Sequence, residues 1–593
     1  METFENLVEM FEQSVQRFAS NRLFGVKEGG VYRWVTYEEI GRQVKDFRGG
    51  LASLGVGRGD KVAVISNNRP EWAVGAYATY SLGAQYVPMY EAQLEKDWKY
   101  ILHDSGTKVL LVANDEIRSR TVGFIDEIET LEHVVSFGGE ADDATSFKGL
   151  ITIGKKTPAP SVKPDPEDIC GFIYTSGTTG NPKGVLLSHR NLTSNVNAVH
   201  ELFPMREEDR SLSFLPWAHS FGQTCELHCM LSYGAAIGIA ESVTTIIENL
   251  PEVKPTLLFS VPRIFNKIHD GLHKKMEEAG GLKLKLFHAT LATAAKRKEL
   301  AAEGRSSAWL NMKYGLLDKL VASKVRARLG GELKFAFSGG AKLSKEVAEF
   351  IDNLGIMVYE GYGLTETSPI ATANNPKLGR VIGSVGRAIP GVTIKIVPVE
   401  GAPQGEGEIV IYGPNIMKGY HNLPEATAEV FTEDGGFRSG DVGRLDDKGF
   451  LFITGRVKEQ YKLENGKYVA PAPLEEKLRL SKYVANIMVD GTNKPYNIAV
   501  VVPDFDNLRA WAQANGLGSA SNAELAQNPK VKALYEAEFK VLGADFKGYE
   551  LPKKVFIAAE DFTTENGLLT PSMKVKRREV TAKYGEQIEN LYG

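Results

Sequence analysis

Tyr174-Thr-Ser-Gly-Thr-Thr-Gly-Asn-Pro-Lys-Gly-Val-Leu-Leu-Ser-His189 decides how the chain is organised. Ahead of it runs Ile169-Cys-Gly-Phe-Ile-Tyr174, an apolar and aromatic segment that predicts a buried strand. Gly177, Gly180 and Gly184 let backbone N–H groups approach an anion closely, the hydroxyls of Thr175, Ser176, Thr178 and Thr179 add donors, and Lys183 adds positive charge. On its own the loop fits either an ordinary turn or a cradle for the phosphates of a nucleoside triphosphate. It does not fit a Walker A loop. Pro182 precedes Lys183 where that pattern has Gly, and Gly184 stands where Ser or Thr would hold magnesium.

At 593 residues the chain is long enough for two or more domains. Its 43% hydrophobic and 24% charged residues are those of an ordinary globular protein, and a net charge of −4 gives no drive toward nucleic acid. Three cysteines make a disulfide framework unexpected and suit a reducing compartment. Met1-Glu-Thr-Phe-Glu-Asn-Leu-Val8 lacks an apolar core, so no secretory signal is expected, and Leu591-Tyr-Gly593 is no peroxisomal tripeptide. No apolar run approaches the length of a membrane span.

Outward from the loop, Lys61-Val-Ala-Val-Ile-Ser66 and Lys108-Val-Leu-Leu-Val-Ala113 predict strands alternating with helices, as in parallel βαβ units. Thr157-Pro-Ala-Pro-Ser-Val-Lys-Pro-Asp-Pro166 predicts a stiff spacer. Residues from about 266 to 330 are rich in Lys, Glu, Ala and Leu, and Lys283–Leu300 predicts an amphipathic helix. Between Gly383 and Tyr420, short strands broken by Gly and Pro suggest a small β-barrel or a distorted sheet.

Three further motifs follow in order. Tyr359-Glu-Gly-Tyr-Gly-Leu-Thr-Glu-Thr367 is preceded by Phe337-Ser-Gly-Gly-Ala-Lys-Leu343. Phe437-Arg-Ser-Gly-Asp441 precedes Gly455-Arg-Val-Lys458. Last comes Asn566-Gly-Leu-Leu-Thr-Pro-Ser-Met-Lys-Val-Lys-Arg-Arg-Glu579. Taken singly, these fit a strand-to-loop turn, an aspartate turn and a solvated basic surface.

Together with the first loop they resemble the acyl-adenylate-forming enzymes, which include the AMP-forming acyl-CoA synthetases, adenylation domains and firefly luciferases. The helical stretch at 266–330 resembles the long-chain branch of the acyl-CoA synthetases. The resemblance implies an α/β fold. Residues 1–455 would form a large domain of two βαβ-type parallel-sheet subdomains plus a small β-barrel at about 380–440. Residues 456–593 would form a small mobile α+β domain hinged near Lys458. ATP, Mg2+ and coenzyme A are implied, with Ser176, Gly177, Thr178, Thr179, Gly180 and Lys183 around the phosphates. Gly339, Gly340, Ala341, Glu360, Gly361 and Gly363 would line the adenine, Tyr362 would stack on it, and Thr365 would approach the α-phosphate. Glu366 and Thr175 would hold magnesium, which as a hard ion takes oxygen ligands. Asp441 would bind the ribose hydroxyls and Arg456 the ribose or phosphate.

Lys574 would assist adenylation, although Met573 replaces the usual Gly before it. Lys462 and Gly466 would serve thioester formation. The family pattern Glu-Leu-Ile-Lys becomes Glu459-Gln-Tyr-Lys462 here. The acyl group would meet His219, Phe221, Gly222, Val261 and Pro262, and Gly222 replaces the Asp with which amino-acid adenylation domains bind an amino group. Cys225, His228 and Cys229 fall on one predicted helical face, yet free cysteines are more often small buried hydrophobes than zinc ligands.

The implied activity is that of a long-chain fatty-acyl-CoA synthetase, with ATP and a fatty acid giving acyl-AMP and then acyl-CoA. A fatty-acyl-AMP ligase, or a CoA ligase for medium-chain or aryl acids, shares the ATP motifs. A non-catalytic fatty-acid-binding protein would be expected to lose Lys574 or Glu366. Too few residues follow Lys574 for a peptide-synthetase carrier domain. The partners implied are small molecules and no nucleic acid, in a cytoplasmic protein with scope for peripheral contact at the inner face of a membrane. Oligomeric state is left open.

Overall fold

The computed structural model of the protein describes residues 3–175, 181–570 and 574–593. Among them, two large sheets carry most of the chain. In the first, Ile169–Thr175, Gln85–Met89, Lys61–Ile65, Val109–Val112 and His133–Ser136 run parallel in that spatial order. All four residues of Val109–Val112 are buried, as expected of a parallel sheet covered on both faces. In the second, Arg22–Glu28, Ala236–Ile239, Arg210–Ser213, Leu257–Ser260, Phe335–Ser338 and Met357–Gly363 are parallel, with antiparallel strands at both edges. The α/β class and the strands expected at 61, 108 and 169 are present. Trp72 and Trp217 pack with ring centroids 5.6 Å apart in the apolar core shared by the two sheets.

The loop at 176–182 links two antiparallel strands, because Ile169–Thr175 pairs with Lys183–Ser188 and puts Thr175 opposite Lys183. A Walker A loop passes from strand to helix N-terminus, so the return strand separates this loop from that class. Helix His189–Leu202 begins only after the second strand, with Ser188 and Asn191 forming a reciprocal cap. Asn191 Nδ2 also donates to the Pro414 and Ile416 carbonyls, both at 2.8 Å. That ties the hairpin to the chain entering the strand Gly419–Tyr420, which pairs alongside Lys183–Ser188.

The segment expected as a small β-barrel over about 380–440 takes the other form, a sheet. Thr393–Val397, Gly407–Tyr412, Phe437–Leu445 and Leu451–Arg456 form an antiparallel order whose first and last strands do not pair among the described residues. Four strands are too few to enclose a filled interior, so the sheet stays open. The helical stretch comprises Pro262–Ala279, Gly281–Ala302, Ala308–Leu317 and the turns that continue to Arg328.

Beyond residue 456 come the short hairpin Tyr461–Lys462/Tyr468–Val469 and a three-stranded sheet of Val484–Asp490, Asn497–Pro503 and Pro552–Ile557. Helices pack on that sheet, and buried apolar residues from 474 onward form two clusters of their own.

Candidate functional site

Met357–Gly363 carries Glu360, Gly361, Tyr362 and Gly363 to the carboxyl end of the second sheet. Its neighbour Phe335–Ser338 delivers Gly339, Gly340 and Ala341 to the same edge, since Ser338 pairs with Glu360. Ligands of open α/β sheets bind outside this end of the strands. Gly363 is required by space, because a side chain there would collide with the Pro369 carbonyl. Gly340 has φ +78°, a left-handed conformation natural to glycine. Burial pushes the Glu360 carboxyl up to about 7, opposed by hydrogen bonds from the Leu343 and Gly383 backbones.

Glu366 lies in the turn Thr365–Thr367. Met417 N–H donates to its carbonyl at 2.9 Å, and Asn415 Nδ2 donates to the Thr367 and Ile370 carbonyls at 3.1 and 2.9 Å. The Tyr420 hydroxyl donates to Glu366 Oε1 at 2.9 Å, while Lys183 Nζ stands 4.9 Å from the centre of the Tyr420 ring. Lys183, Tyr420 and Glu366 therefore form one contiguous chain of cation, ring and carboxyl. Burial raises the Glu366 carboxyl above its usual range, with its own backbone N–H and Tyr420 opposing.

A second corner is built on the open sheet, where Asp441 and Arg456 face each other across paired strands. Arg456 Nε is 2.8 Å from Asp441 Oδ1, and the Tyr362 hydroxyl donates to Asp441 Oδ2 at 2.7 Å. Each oxygen of a buried carboxylate is thus held by its own donor. The neighbouring Asp441 raises the Arg456 guanidinium further above its ordinary value.

Lys574 is coupled electrostatically to both corners. Its backbone N–H donates to Thr570 Oγ1 at 3.0 Å, and its carbonyl accepts from Thr570 N–H at 2.8 Å. The residue is solvent-accessible, yet the surrounding walls desolvate its ammonium and lower it below the ordinary lysine value. Arg456 adds to that shift, and Asp441, Glu459 and Glu366 oppose it. Lys574 also bears on His219, whose imidazole is lowered to about 4, chiefly by burial. His219 is consequently neutral near pH 7.

His219 Nδ1 accepts the Phe221 N–H at 3.2 Å, and Ser220 Oγ lies 3.4 Å from Thr365 Oγ1. A Cβ on Gly339 would sit 3.2 Å from the Phe221 ring, one on Gly340 3.8 Å from Val261 Cγ1, and one on Gly222 2.5 Å from the Pro216 carbonyl. Val261 and Pro262 follow the strand Leu257–Ser260 and open the helix Pro262–Ala279. The residues expected around an acyl group and those expected around a nucleotide therefore share one wall.

Other expected residues stand apart. Lys462 Nζ lies 4.9 Å from the Tyr468 ring of its own hairpin, and Gly466 occupies the turn with φ +81° and nothing within 4 Å of a Cβ position. That hairpin packs against the turn joining the first two strands of the open sheet, with the Tyr468 hydroxyl donating to Glu400 at 3.0 Å. Lys458 is exposed in the single turn Val457–Glu459. Ser176, Gly177, Thr178, Thr179, Gly180 and Met573 lie outside the described residues. Cys225 and Cys229 are buried with thiols pushed up by burial, and His228 Nδ1 hydrogen-bonds Tyr77 at 2.7 Å. Among the described residues no cluster of three or more His, Cys, Asp or Glu could hold a metal ion. Tyr420, Ser220 and Asn415 complete the site without having shown in the sequence, because long-range pairing alone brings them to it.

The family pattern described as AMP-binding enzyme matches residues 11–421. Long-chain-fatty-acid–CoA ligase FadD15 of Mycobacterium tuberculosis is 34% identical over 572 residues, covering 95% of this chain and 93% of the relative. Human long-chain-fatty-acid–CoA ligase 1 is 32% identical over 619 residues, covering 99% and 86%. Among solved structures, the adenylation domain of a carboxylate reductase from Mycobacterium chelonae superimposes with a TM-score of 0.78 at 24% identity, over 99% of this chain and 91% of that one. The same domain from Segniliparus rugosus, solved with AMP and a co-purified carboxylic acid, gives 0.77 at 23%, over 99% and 94%. The fold is thus that of an adenylation domain, and by the extent of these matches the chain belongs to the AMP-binding enzyme family.

Proposed function

We propose that the protein is an AMP-forming long-chain fatty-acyl-CoA synthetase. The observation that carries this is the convergence of Lys574, Glu366, Asp441 and Arg456 at the carboxyl end of Met357–Gly363. The relatives, named as long-chain-fatty-acid ligases, support the choice of acid.

In the first step an oxygen of the fatty carboxylate bonds to the α-phosphorus of ATP while the bond to the bridging oxygen breaks, and pyrophosphate leaves with that electron pair. Two anions must meet, so positive charge fixed in advance at that point lowers the barrier. Lys574 and Lys183 supply it, and one such group contributes about 3 kcal/mol. Asp441 and Arg456 hold the ribose, while Gly339–Ala341 and Glu360–Gly363 border the base. Thr365 approaches the α-phosphate. Glu366 with the Thr175 hydroxyl fits Mg2+, since a buried carboxyl raised by desolvation gains from a cation, and the ion would take its remaining oxygens from phosphate and water. When bound, that ion neutralises phosphate charge. The hydroxyls and glycines from Ser176 to Gly180, outside the described residues, are assigned to the phosphates on their sequence.

In the second step the coenzyme A sulfur gives up its proton and bonds to the acyl carbon, and the bond from that carbon to the AMP oxygen breaks. Lys462 and Gly466 serve this step once residues 456–593 turn about Lys458 relative to residues 1–455. Separate apolar clusters after residue 474 and the exposed turn at Lys458 support the division. A neutral His219 beside Phe221, Gly222, Val261 and Pro262 suits an uncharged acyl chain, for which each buried methylene contributes about 0.8 kcal/mol.

The test is ATP–pyrophosphate exchange across fatty, aryl and amino acids, with and without coenzyme A. Palmitate-like acids should support exchange and, with coenzyme A, yield thioester. Exchange with aryl or amino acids alone sinks the substrate assignment, and acyl-AMP that accumulates regardless of coenzyme A identifies a fatty-acyl-AMP ligase instead.

A further inference from the structure

The helix Ala308–Leu317 is predominantly apolar, interrupted by Asn311 and Lys313, and continues through further turns to Arg328. The inner side of this stretch packs on the protein through its C-terminal half. Leu317 and Ala322 are buried, and Val321 and Val325 rest on the core beneath the second sheet. The outer side is bare. Trp309, Met312, Leu316 and Leu320 are 61, 70, 62 and 42% exposed, and their spacing of three, four and four places them along one helical stripe. Isolated exposed apolar residues need no explanation, but four in register mark a surface that something covers.

Charge identifies the cover. Lys313, Lys319, Lys324 and Arg328 are all exposed between Ser306 and Arg328. The only carboxylate in that span, Asp318, is neutralised by Arg326 at 2.7 Å. Lys313 and Lys324 flank the stripe on one side and Lys319 on the other, and Lys313 Nζ lies 5.2 Å from the Trp309 ring. An apolar stripe headed by Trp and bordered by long cationic side chains is the pattern of a helix lying in the plane of a lipid interface. Among the described residues no helix is long and apolar enough to cross a membrane.

We propose that the outer face of residues 308–328 docks the protein on an anionic lipid surface. Trp309, Met312, Leu316 and Leu320 enter the acyl boundary, and Lys313, Lys319, Lys324 and Arg328 meet the headgroups. The proposal concerns binding alone and stands whether or not the proposed reaction is correct.

The experiment is co-sedimentation of the full chain with phosphatidylcholine vesicles and with vesicles of phosphatidylcholine and phosphatidylglycerol, at low and high salt. Binding is expected to the anionic vesicles, weakened by salt. The double variant Met312→Glu/Leu316→Glu should bind at least tenfold less, and Lys313→Glu/Lys319→Glu/Lys324→Glu should lose the preference for anionic lipid. Circular dichroism of both variants checks that they are folded, and the basic-to-acidic variant leaves the apolar face intact if the other fails that check. Wild-type protein that stays in the supernatant with both vesicles overturns the proposal. So does a dimer, detected by light scattering, that the first variant dissolves, because the stripe would then be covered by a second copy.

Discussion

Two segments of the last third of the chain were expected at one reaction centre, and the structure treats them differently. Lys574 bears electrostatically on Arg456, Asp441 and Glu366. The hairpin bearing Lys462 and Gly466 lies against Glu400 and Gly401, in the turn joining the first two strands of the open sheet, instead. Under the proposed reaction the first belongs to adenylation and the second to thioester formation. The difference teaches that, under that proposal, one rigid arrangement would serve one step and the two steps would compete for the same approach to the substrate carbonyl.

The strongest way to break the comparison is Lys574→Ala. Loss of one preorganised cation should cut ATP–pyrophosphate exchange by about two orders of magnitude while sparing thioester formation from supplied acyl-AMP. An equal loss in both assays would put Lys574 in both steps and erase the contrast.

A pH profile of exchange sharpens it next. Lys574 must carry its proton to offset charge, and its ordinary value is lowered, so activity should fall with rising pH earlier than the 10.5 of an unperturbed lysine. Burial raises the Glu366 carboxyl above its ordinary 4.5, so a proton should compete with Mg2+ there and the magnesium requirement for exchange should rise as pH falls. In Lys574→Arg the alkaline limb should move upward, because guanidinium does not deprotonate in that range. An unchanged alkaline limb would assign it to another group.

Gly466→Val addresses the other segment. A β-branched residue at φ +81° is strained by about 1–3 kcal/mol, and the turn should distort. Thioester formation is expected to fall roughly tenfold with exchange unaltered, a ratio that stopped-flow measurement of coenzyme A consumption can read. The smallest effect is expected for Tyr420→Phe, which removes the hydrogen bond to Glu366. Such a bond is worth about 1 kcal/mol, so the magnesium concentration for half-maximal exchange should shift by about fivefold. No shift at all would detach Tyr420 from the ion.

Much of this was legible before any coordinates. Apolar runs at 61, 108 and 169 gave strands because a parallel sheet buries both faces, and their hydrophobicity needs no partner to be recognised. The residues of the four motifs are local in sequence, so Glu366, Asp441, Arg456 and Lys574 were marked individually. What was not legible depends on pairing between distant segments. Tyr420 meets Lys183 because a two-residue strand joins an edge more than two hundred residues earlier in the chain. Asn415 clamps the Glu366 turn for the same reason. The choice between a barrel and an open sheet at 393–456 turned on whether two edge strands meet, which no local periodicity encodes.

The 3.2 Å between the Phe221 ring and the Cβ position of Gly339 carries a consequence for how such a protein can change. Under the proposed function that wall would be one residue thick, with the nucleotide on one side and the acyl chain on the other. Enlarging the side chain at Phe221 would press on the Gly339 backbone, and adding a methyl to the glycine would press on the ring. If the proposed roles hold, a change of acid preference at Phe221 would carry a change of nucleotide affinity with it, linking the two specificities.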